Sequence, residues 1–214
     1  DGQLVTHEIL SEKKFDKILA DKGVWKMIQL VRPTEAMKEQ AIEFRQEFFE
    51  HGEFVINGSE LFDKTDDYTE WCWIIDANTK EETVNPNWVI TDTFFAVDDD
   101  RIVGIIDFRH TLNDFLKDLG RCGYSVRPSE RRKGFATEML RQLLEVAKKT
   151  GMNKLYLSVE RKNEPSVKTI TRNGGVYERS FEMDGEQADI YGYIEKQRDV
   201  NKFKEHCLWK RNCF

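Results

Sequence analysis

Hydrophobic positions along the chain alternate between strand-like and helix-like periods. Met27 opens an apolar run, MIQLVRP, that predicts a first strand. Pro33-Thr34 then marks a helix start, and Glu35 in the first turn meets the positive end of the helix dipole. Met37, Ala41, Phe44 and Phe48 follow at spacings of four, three and four, one apolar stripe of an amphipathic helix that Gly52 ends. Upstream, Ser11 caps a predicted short helix carrying Phe15, Ile18 and Leu19 that stops near Gly23. Residues 53–87 are polar and aromatic without a clear period, and Trp71, Trp73 and Trp88 are expected to pack a helical turn or lid there.

From residue 88 the texture changes. WVITDTFFAV predicts a strand, Asp98-Asp99-Asp100 a turn, and RIVGIIDFRH its hairpin partner. A polar stretch leads to another strand, RCGYSV, which Pro128 stops. A long helix is predicted from about Gly134 to Thr150 on Phe135, Met139, Leu140, Leu143, Leu144 and Ala147, with Gly151 as its C-terminal cap. NKLYLSVER is the next strand. Glu164-Pro165-Ser166 opens a shorter helix closing at Gly174-Gly175, and VYERSFEMDGEQADIYGYI predicts a last hairpin turning at Asp184-Gly185. Hairpins combined with one strand–helix–strand crossover place the chain in the α/β (α+β) class, a mixed sheet with helices on both faces. The core domain is expected over residues 27–200, with 1–26 an N-terminal extension and 201–214 a charged C-terminal tail.

Composition narrows the functional classes. Fourteen Phe and five Trp in 214 residues supply a real core, which excludes a disordered chain. A net charge of −6 opposes broad binding to nucleic acid, although Arg127, Arg131, Arg132 and Lys133 form a local basic patch. Cys72, Cys122, Cys207 and Cys213 contain no C-x-x-C pair, so no metal site is expected and free thiols are the reading. No signal peptide or membrane-length apolar run is visible, so a cytoplasmic location and no membrane partner are expected.

The chemistry concentrates in VRPSERRKGFAT, Val126 to Thr137, between a strand and a helix N-terminus. Such a junction leaves backbone N–H groups without helical partners and adds the helix dipole's positive end. Gly134 and Ala136 let a phosphate approach the amides, Arg131, Arg132 and Lys133 add charge at the rim, and Thr137 adds a hydroxyl. The residues describe a pyrophosphate site. Neither G-x-x-x-x-G-K-[ST] nor a G-x-G-x-x-G after the first strand occurs, which argues against the two commoner phosphate loops.

The stretch GYSVRPSERRKGFATEML resembles the main acetyl-CoA motif of the GNAT superfamily: a strand ending in Val, a Pro, then [RQ]-x-x-G-x-[GA] opening a helix. Val126, Pro128, Arg131, Gly134 and Ala136 occupy those places. The strand LYLSVE followed by Asn163, Ser166 and Asn173-Gly174-Gly175 resembles the family's N-x-x-[AS] segment. The Arg109-His110-Thr111-Leu112-Asn113 run is similar to one in an uncharacterised bacterial predicted-acetyltransferase group. The resemblance implies a mostly antiparallel twisted sheet with a splayed central strand pair. It implies acetyl-CoA as cofactor, its pantetheine arm on the backbone of Tyr124, Ser125 and Val126. The diphosphate would sit on the Arg131, Arg132, Lys133, Gly134, Phe135, Ala136 and Thr137 loop, with Asn163 and Ser166 contacting the cofactor across the splay. A backbone N–H near Val126 would serve the oxyanion, and a homodimer is within the family's habits.

An amine attacking a thioester must lose a proton, and the leaving thiolate must gain one. The tyrosine that many family members use for the thiolate is replaced here by Ile170, and the usual base glutamate by Gly120. His110, Glu160 and Tyr191 are the catalytic candidates, with Asp107 and Asp118 nearby in sequence and one of Tyr191 and Tyr193 expected to face the cleft. The reaction implied is acetyl transfer to a primary amine of a small-molecule acceptor. A non-catalytic acyl-CoA sensor and a peptide or protein N-acetyltransferase are the alternatives.

Overall fold

The computed structural model describes residues 28–183 and 185–194. The element order is β1 (Gln29–Val31), α1 (Lys38–Glu50), α2 (Tyr68–Ala77), β2 (Thr91–Asp98), β3 (Arg101–Arg109), β4 (Tyr124–Val126), α3 (Phe135–Lys149), β5 (Lys154–Glu160), α4 (Glu164–Arg172), β6 (Val176–Met183) and β7 (Glu186–Ile194). Short 3₁₀ turns at Glu35–Met37 and Pro128–Glu130 precede α1 and α3. The expected helix at Ser11–Gly23 and the tail after 200 lie outside the described residues.

The strands form two antiparallel sheets, ordered β1-β2-β3-β4 and β5-β7-β6. Central to the first is β3, whose inward faces are apolar on both sides. Between β2 and β3 the register steps from Val97–Ile102 to Ala96–Gly104, so Val103 is an extra, bulged residue that reverses which parity faces which layer. Ile102 and Ile105 therefore join one core, with Phe44, Phe48, Phe62, Trp71 and Phe95 under α1 and α2. Val103, Ile106 and Phe108 join the other, with Phe135, Met139, Leu143 and Leu157 under α3. Beyond the bulge, Asp107 and Arg109 share the parity of Ile105 and so turn toward the α1–α2 side.

The helices follow their stripes. In α1, Ala41, Phe44 and Phe48 are buried. In α3 the apolar stripe is joined by buried Glu138, held by Arg141 through two contacts of 2.8 Å. The segment without a period in the sequence contains α2, capped by Asp67, whose side chain accepts from the Thr69 amide at 2.9 Å. The tryptophan expectation holds only in part: Trp71 is fully buried, but Trp73 is 73% exposed.

Candidate functional site

The two sheets meet at one bridge, Gly120 with Leu157, fastened by Arg121 N–H donating to Tyr156 O at 2.8 Å and Ser158 Oγ donating to Leu119 O at 2.8 Å. Past it, β4 pairs only with β3 and β5 only with β7. The gap opens into a cleft of about 260 Å³, lined among others by Tyr124, Ser158, Glu160, Asn163, Ser166 and Ile170. Asp107 N–H donates to Gly123 O at 3.0 Å and Arg127 N–H to Val103 O at 2.9 Å, bracketing β4. By antiparallel alternation, Tyr124 and Val126 turn their amides away from β3 into the gap.

At the mouth of α3, Arg132 and Gly134 adopt φ of 64° and 90°. The first helical bond runs from Glu138 N–H to Gly134 O at 3.2 Å, and the cap residue has no side chain to offer. Among the described residues, the amides of Arg132, Lys133, Gly134, Ala136 and Thr137 donate to no protein acceptor. A β-carbon on Gly134 would meet nothing within 4 Å, so open space lies in front of these donors. Amides facing open space at a helix N-terminus form a cradle whose geometry suits an anionic group.

The basic patch does not survive folding. Arg127 is 2% exposed, its guanidinium bonded to Glu47 at 2.5 Å, Glu43 at 2.6 Å and Ile102 O at 3.2 Å. Arg131 makes a two-pronged pair with Glu53 at 2.6 Å and donates to Val126 O at 3.2 Å, so it braces the loop. Lys133 pairs with Glu130 at 2.7 Å. Sequence spacing counts these cations together, but acidic residues distant in the chain pair with Arg127 and Arg131, and Glu130 pairs with Lys133. Asn163 uses its Oδ1 to cap α4, accepting from Ser166 N–H at 3.2 Å, while still bordering the cleft.

The cleft has a second wall that sequence reasoning missed. Asn57, Gly58 and Arg109 border it and also border a neighbouring cavity of about 210 Å³ that contains Glu60 and Asp107. A further cavity of about 240 Å³, with Trp88, Asn113 and Phe115, shares Glu60 and Arg109. Asp107 is fully buried; it accepts from Arg109 at 2.7 Å and from Gly123 N–H at 2.5 Å. Burial first, and then the Asp107 charge and hydrogen bond, push the Glu60 carboxyl up to about 7. Burial also raises Asp107, against the pull of Arg109. The two carboxyls are therefore coupled, the Asp107 charge disfavouring ionisation of Glu60.

Glu60 is held there at a cost. It and Leu61 take φ of 49° and 66°, the left-handed region that side chains disfavour by about 1 kcal/mol or more each. Trp71 fixes them, its indole N–H donating to Ser59 O at 2.9 Å and Glu60 O at 3.2 Å. Gly58 adds a backbone lock: a β-carbon there would sit 2.2 Å from Gly123 O. No pattern in residues 53–87 announces this, because the loop's conformation is imposed by contacts distant in sequence.

The three catalytic candidates scatter. Glu160 lines the cleft, half-exposed, with Lys162 4.0 Å away. His110 lies outside the cleft lining; its Nε2 meets Asp92 at 2.9 Å, Arg32 pairs with the same carboxylate, and its ring packs 4.7 Å from Phe108. Tyr191 is buried in the core with its ring 6.1 Å from Tyr177. Tyr193 packs against that same core and donates to Ile170 O at 2.8 Å, as two residues of equal parity on one strand should. The expectation that only one of the two tyrosines faces the cleft is thus corrected: neither borders it. Asp118 pairs with Arg179 at the surface.

Among the described residues no acidic, histidine or cysteine cluster could hold a metal, and no helix is long and apolar enough to cross a membrane.

A family model described as the acetyltransferase (GNAT) domain matches residues 15–176. Among solved structures, Mycobacterium smegmatis RimJ in complex with CoA-disulfide is similar at 16% identity and TM-score 0.62, over 81% of this chain and 85% of that one. The microcin C7 self-immunity acetyltransferase MccE, in complex with acetyl-CoA and AMP, is similar at 16% identity and TM-score 0.60, over 78% and 92%. RimL, a ribosomal L7/L12 alpha-N-protein acetyltransferase in complex with coenzyme A, is similar at 13% identity and TM-score 0.57, over 80% and 96%. No curated protein matches the chain in sequence.

Proposed function

The chain belongs to the GNAT acetyltransferase family and is an acetyl-CoA-dependent acyltransferase; from that premise we propose that it acetylates a primary amine of a small molecule, with Glu60 as the base. Acetyl-CoA fits the residues present. The unpaired amides of Arg132, Lys133, Gly134, Ala136 and Thr137 suit its diphosphate, the inward amides of Tyr124 and Val126 its pantetheine arm, and the cleft walls at Asn163 and Ser166 the far side. It supplies an activated acyl carbon; the protein supplies position and proton movement.

The observation that carries the reading is the shared wall. Arg109, Asn57 and Gly58 border both the cofactor cleft and the cavity at Glu60, so an amine held in that cavity would lie beside the cleft wall. An amine is protonated in water and must be neutral to attack. A carboxyl at about 7 is matched to accept that proton at neutral pH. Cavities of about 210 and 240 Å³ accommodate the amine end of a small acceptor. His110 is not placed for this role, because its ring is engaged with Asp92 outside the cleft lining.

The test is thiol release from acetyl-CoA against a panel of primary amines and a panel of peptides with free N-termini. Turnover with small amines and none with peptides is expected. Preference for peptides would transfer the acceptor to the protein class, as for RimL, an alpha-N-protein acetyltransferase. Tight CoA binding with no turnover on either panel would replace the enzyme by a sensor.

A further inference from the structure

The two cavities that share Glu60 differ in what they offer a ligand. The one of about 240 Å³ is walled by Trp88, Val89, Phe115 and Leu116. Two loops build it, and Asn113 joins them: its Nδ2 donates to Asn87 O at 3.3 Å, and its Oδ1 accepts from Leu116 N–H at 2.9 Å. Trp88 N–H donates to Asn85 O at 2.8 Å, which fixes the backbone on the other side. Phe115 is 78% exposed, a large ring without apolar cover at the rim of an apolar cavity.

Most polar side chains along this wall already have partners. Asn113 is used at both ends of its amide. The Thr91 hydroxyl donates to Val89 O at 2.9 Å. Arg109 is the one cation among the described residues that line the cavity, and it pairs with Asp107 at 2.7 Å and donates to Gly120 O at 3.2 Å. Glu60 receives a long bond from Asn78 Nδ2 at 3.3 Å and is the carboxyl left to meet a ligand. Such a cavity suits a molecule with one basic group and an otherwise apolar body, because a further polar group would lose its water without gaining a partner.

We infer that the acceptor is an arylalkylamine: a primary amine joined by a short aliphatic linker to an aromatic ring, with no second charge. Its ring lies with Trp88 and Phe115 and its amine at Glu60. This rests on the small-molecule reading of the Glu60 cavities. A cavity of about 150 Å³ takes up benzene, so one of about 240 Å³ holds a six-membered ring and its linker. Aromatic walls favour an aromatic body beyond the area buried. A carboxylate beside the amine, as in an amino acid, would stand next to Glu60 and Asp107 with no uncommitted cation to meet it. A second ammonium, as in a polyamine, would be desolvated against Trp88 and Leu116. The neighbouring cavity does contain Lys64, but that side chain is exposed and would hold a carboxylate weakly.

The test compares kcat/KM for phenethylamine, ethylamine, phenylalanine and putrescine with the full chain at saturating acetyl-CoA. Phenethylamine should exceed ethylamine at least about thirtyfold, the effect of burying a phenyl ring. It should exceed phenylalanine, which differs by the carboxylate alone, and putrescine at least about a hundredfold. Phe115→Ala should raise KM for phenethylamine about tenfold and lower the phenethylamine-to-ethylamine ratio by the same factor. That ratio does not depend on how much of the variant is folded. Phenylalanine, putrescine or ethylamine used as well as phenethylamine, or a ratio that Phe115→Ala leaves in place, overturns the inference while small-molecule acetylation stands. Turnover with none of the four amines overturns the small-molecule reading and this inference with it.

Discussion

Replacing Glu60 with Gln should remove activity and strengthen the fold. Gln keeps the shape, can donate to Asp107 as the protonated acid does, and cannot ionise. In the unfolded chain Glu60 titrates at its ordinary value of 4.5, and in the folded protein at about 7. Between those values the folded state binds more protons than the unfolded state, so stability falls as pH rises from 4.5 to about 7 and is level above. At about 1.4 kcal/mol per unit, the ceiling on this loss is about 3 kcal/mol. Coupling to Asp107 and partial access of water bring the expectation to about 2 kcal/mol. Urea unfolding at pH 4.5 and pH 8 measures it. Glu60→Gln should match wild type at pH 4.5, exceed it by about 2 kcal/mol at pH 8, and lose 10²-fold or more in kcat. A variant less stable than wild type at pH 8, or one that retains turnover, would refute the assignment of Glu60 as a strained base.

Three other outcomes follow from the same geometry. Arg127→Met should cost about 3 kcal/mol in denaturant unfolding at pH 7, because it strands the Glu47 and Glu43 carboxylates that the buried guanidinium pairs. Glu47 is the matching acid-sensitive group: burial would raise it, but Arg127 and the Ser129 amide outweigh burial and bring it to about 2. Its contribution is thus complete above pH 4.5 and disappears as pH falls toward 2, which an acid titration of wild type followed by fluorescence should show. Gly134→Glu should abolish acetyl-CoA binding in calorimetry, since a non-glycine residue is strained at φ 90° and a carboxylate would enter the anion cradle. His110→Ala should keep kcat within about threefold while lowering stability by about 1 kcal/mol, the size of a lost side-chain hydrogen bond to Asp92; a tenfold fall in kcat with unchanged stability would return His110 to the catalytic list.

What was legible in the sequence is what depends on neighbours along the chain. The α1 and α3 stripes, the β2–β3 hairpin and the anion cradle at Gly134 are local patterns, and each lies where its pattern places it. The acceptor side was not legible. Glu60 becomes a base candidate only because Trp71, Gly58 and the Gly123 carbonyl fix its backbone and Asp107 arrives from a strand some fifty residues on. The bulge at Val103, which turns Asp107 toward Glu60, is a property of pairing register and leaves no mark on the one-dimensional pattern. The arginines mislead for the complementary reason. Arg127 and Arg131 read as free charge until α1 and the following loop deliver Glu43, Glu47 and Glu53.

The same ion pairs explain how the cradle keeps its shape without the cofactor. An anion site needs amides that converge, and converging amides repel one another unless the backbone is held. Arg131 is bonded at once to Glu53 and to Val126 O, tying the loop both to the segment after α1 and to the end of β4. Arg127 ties the preceding residue of the loop to α1, and Ser129 N–H donates to Glu47 at 2.7 Å. The cations that would have been counted as ligands for a phosphate thus serve to preorganise uncharged donors. In the proposed cofactor site, recognition would then fall to backbone amides and the dipole of α3, which a rearranged side chain cannot neutralise.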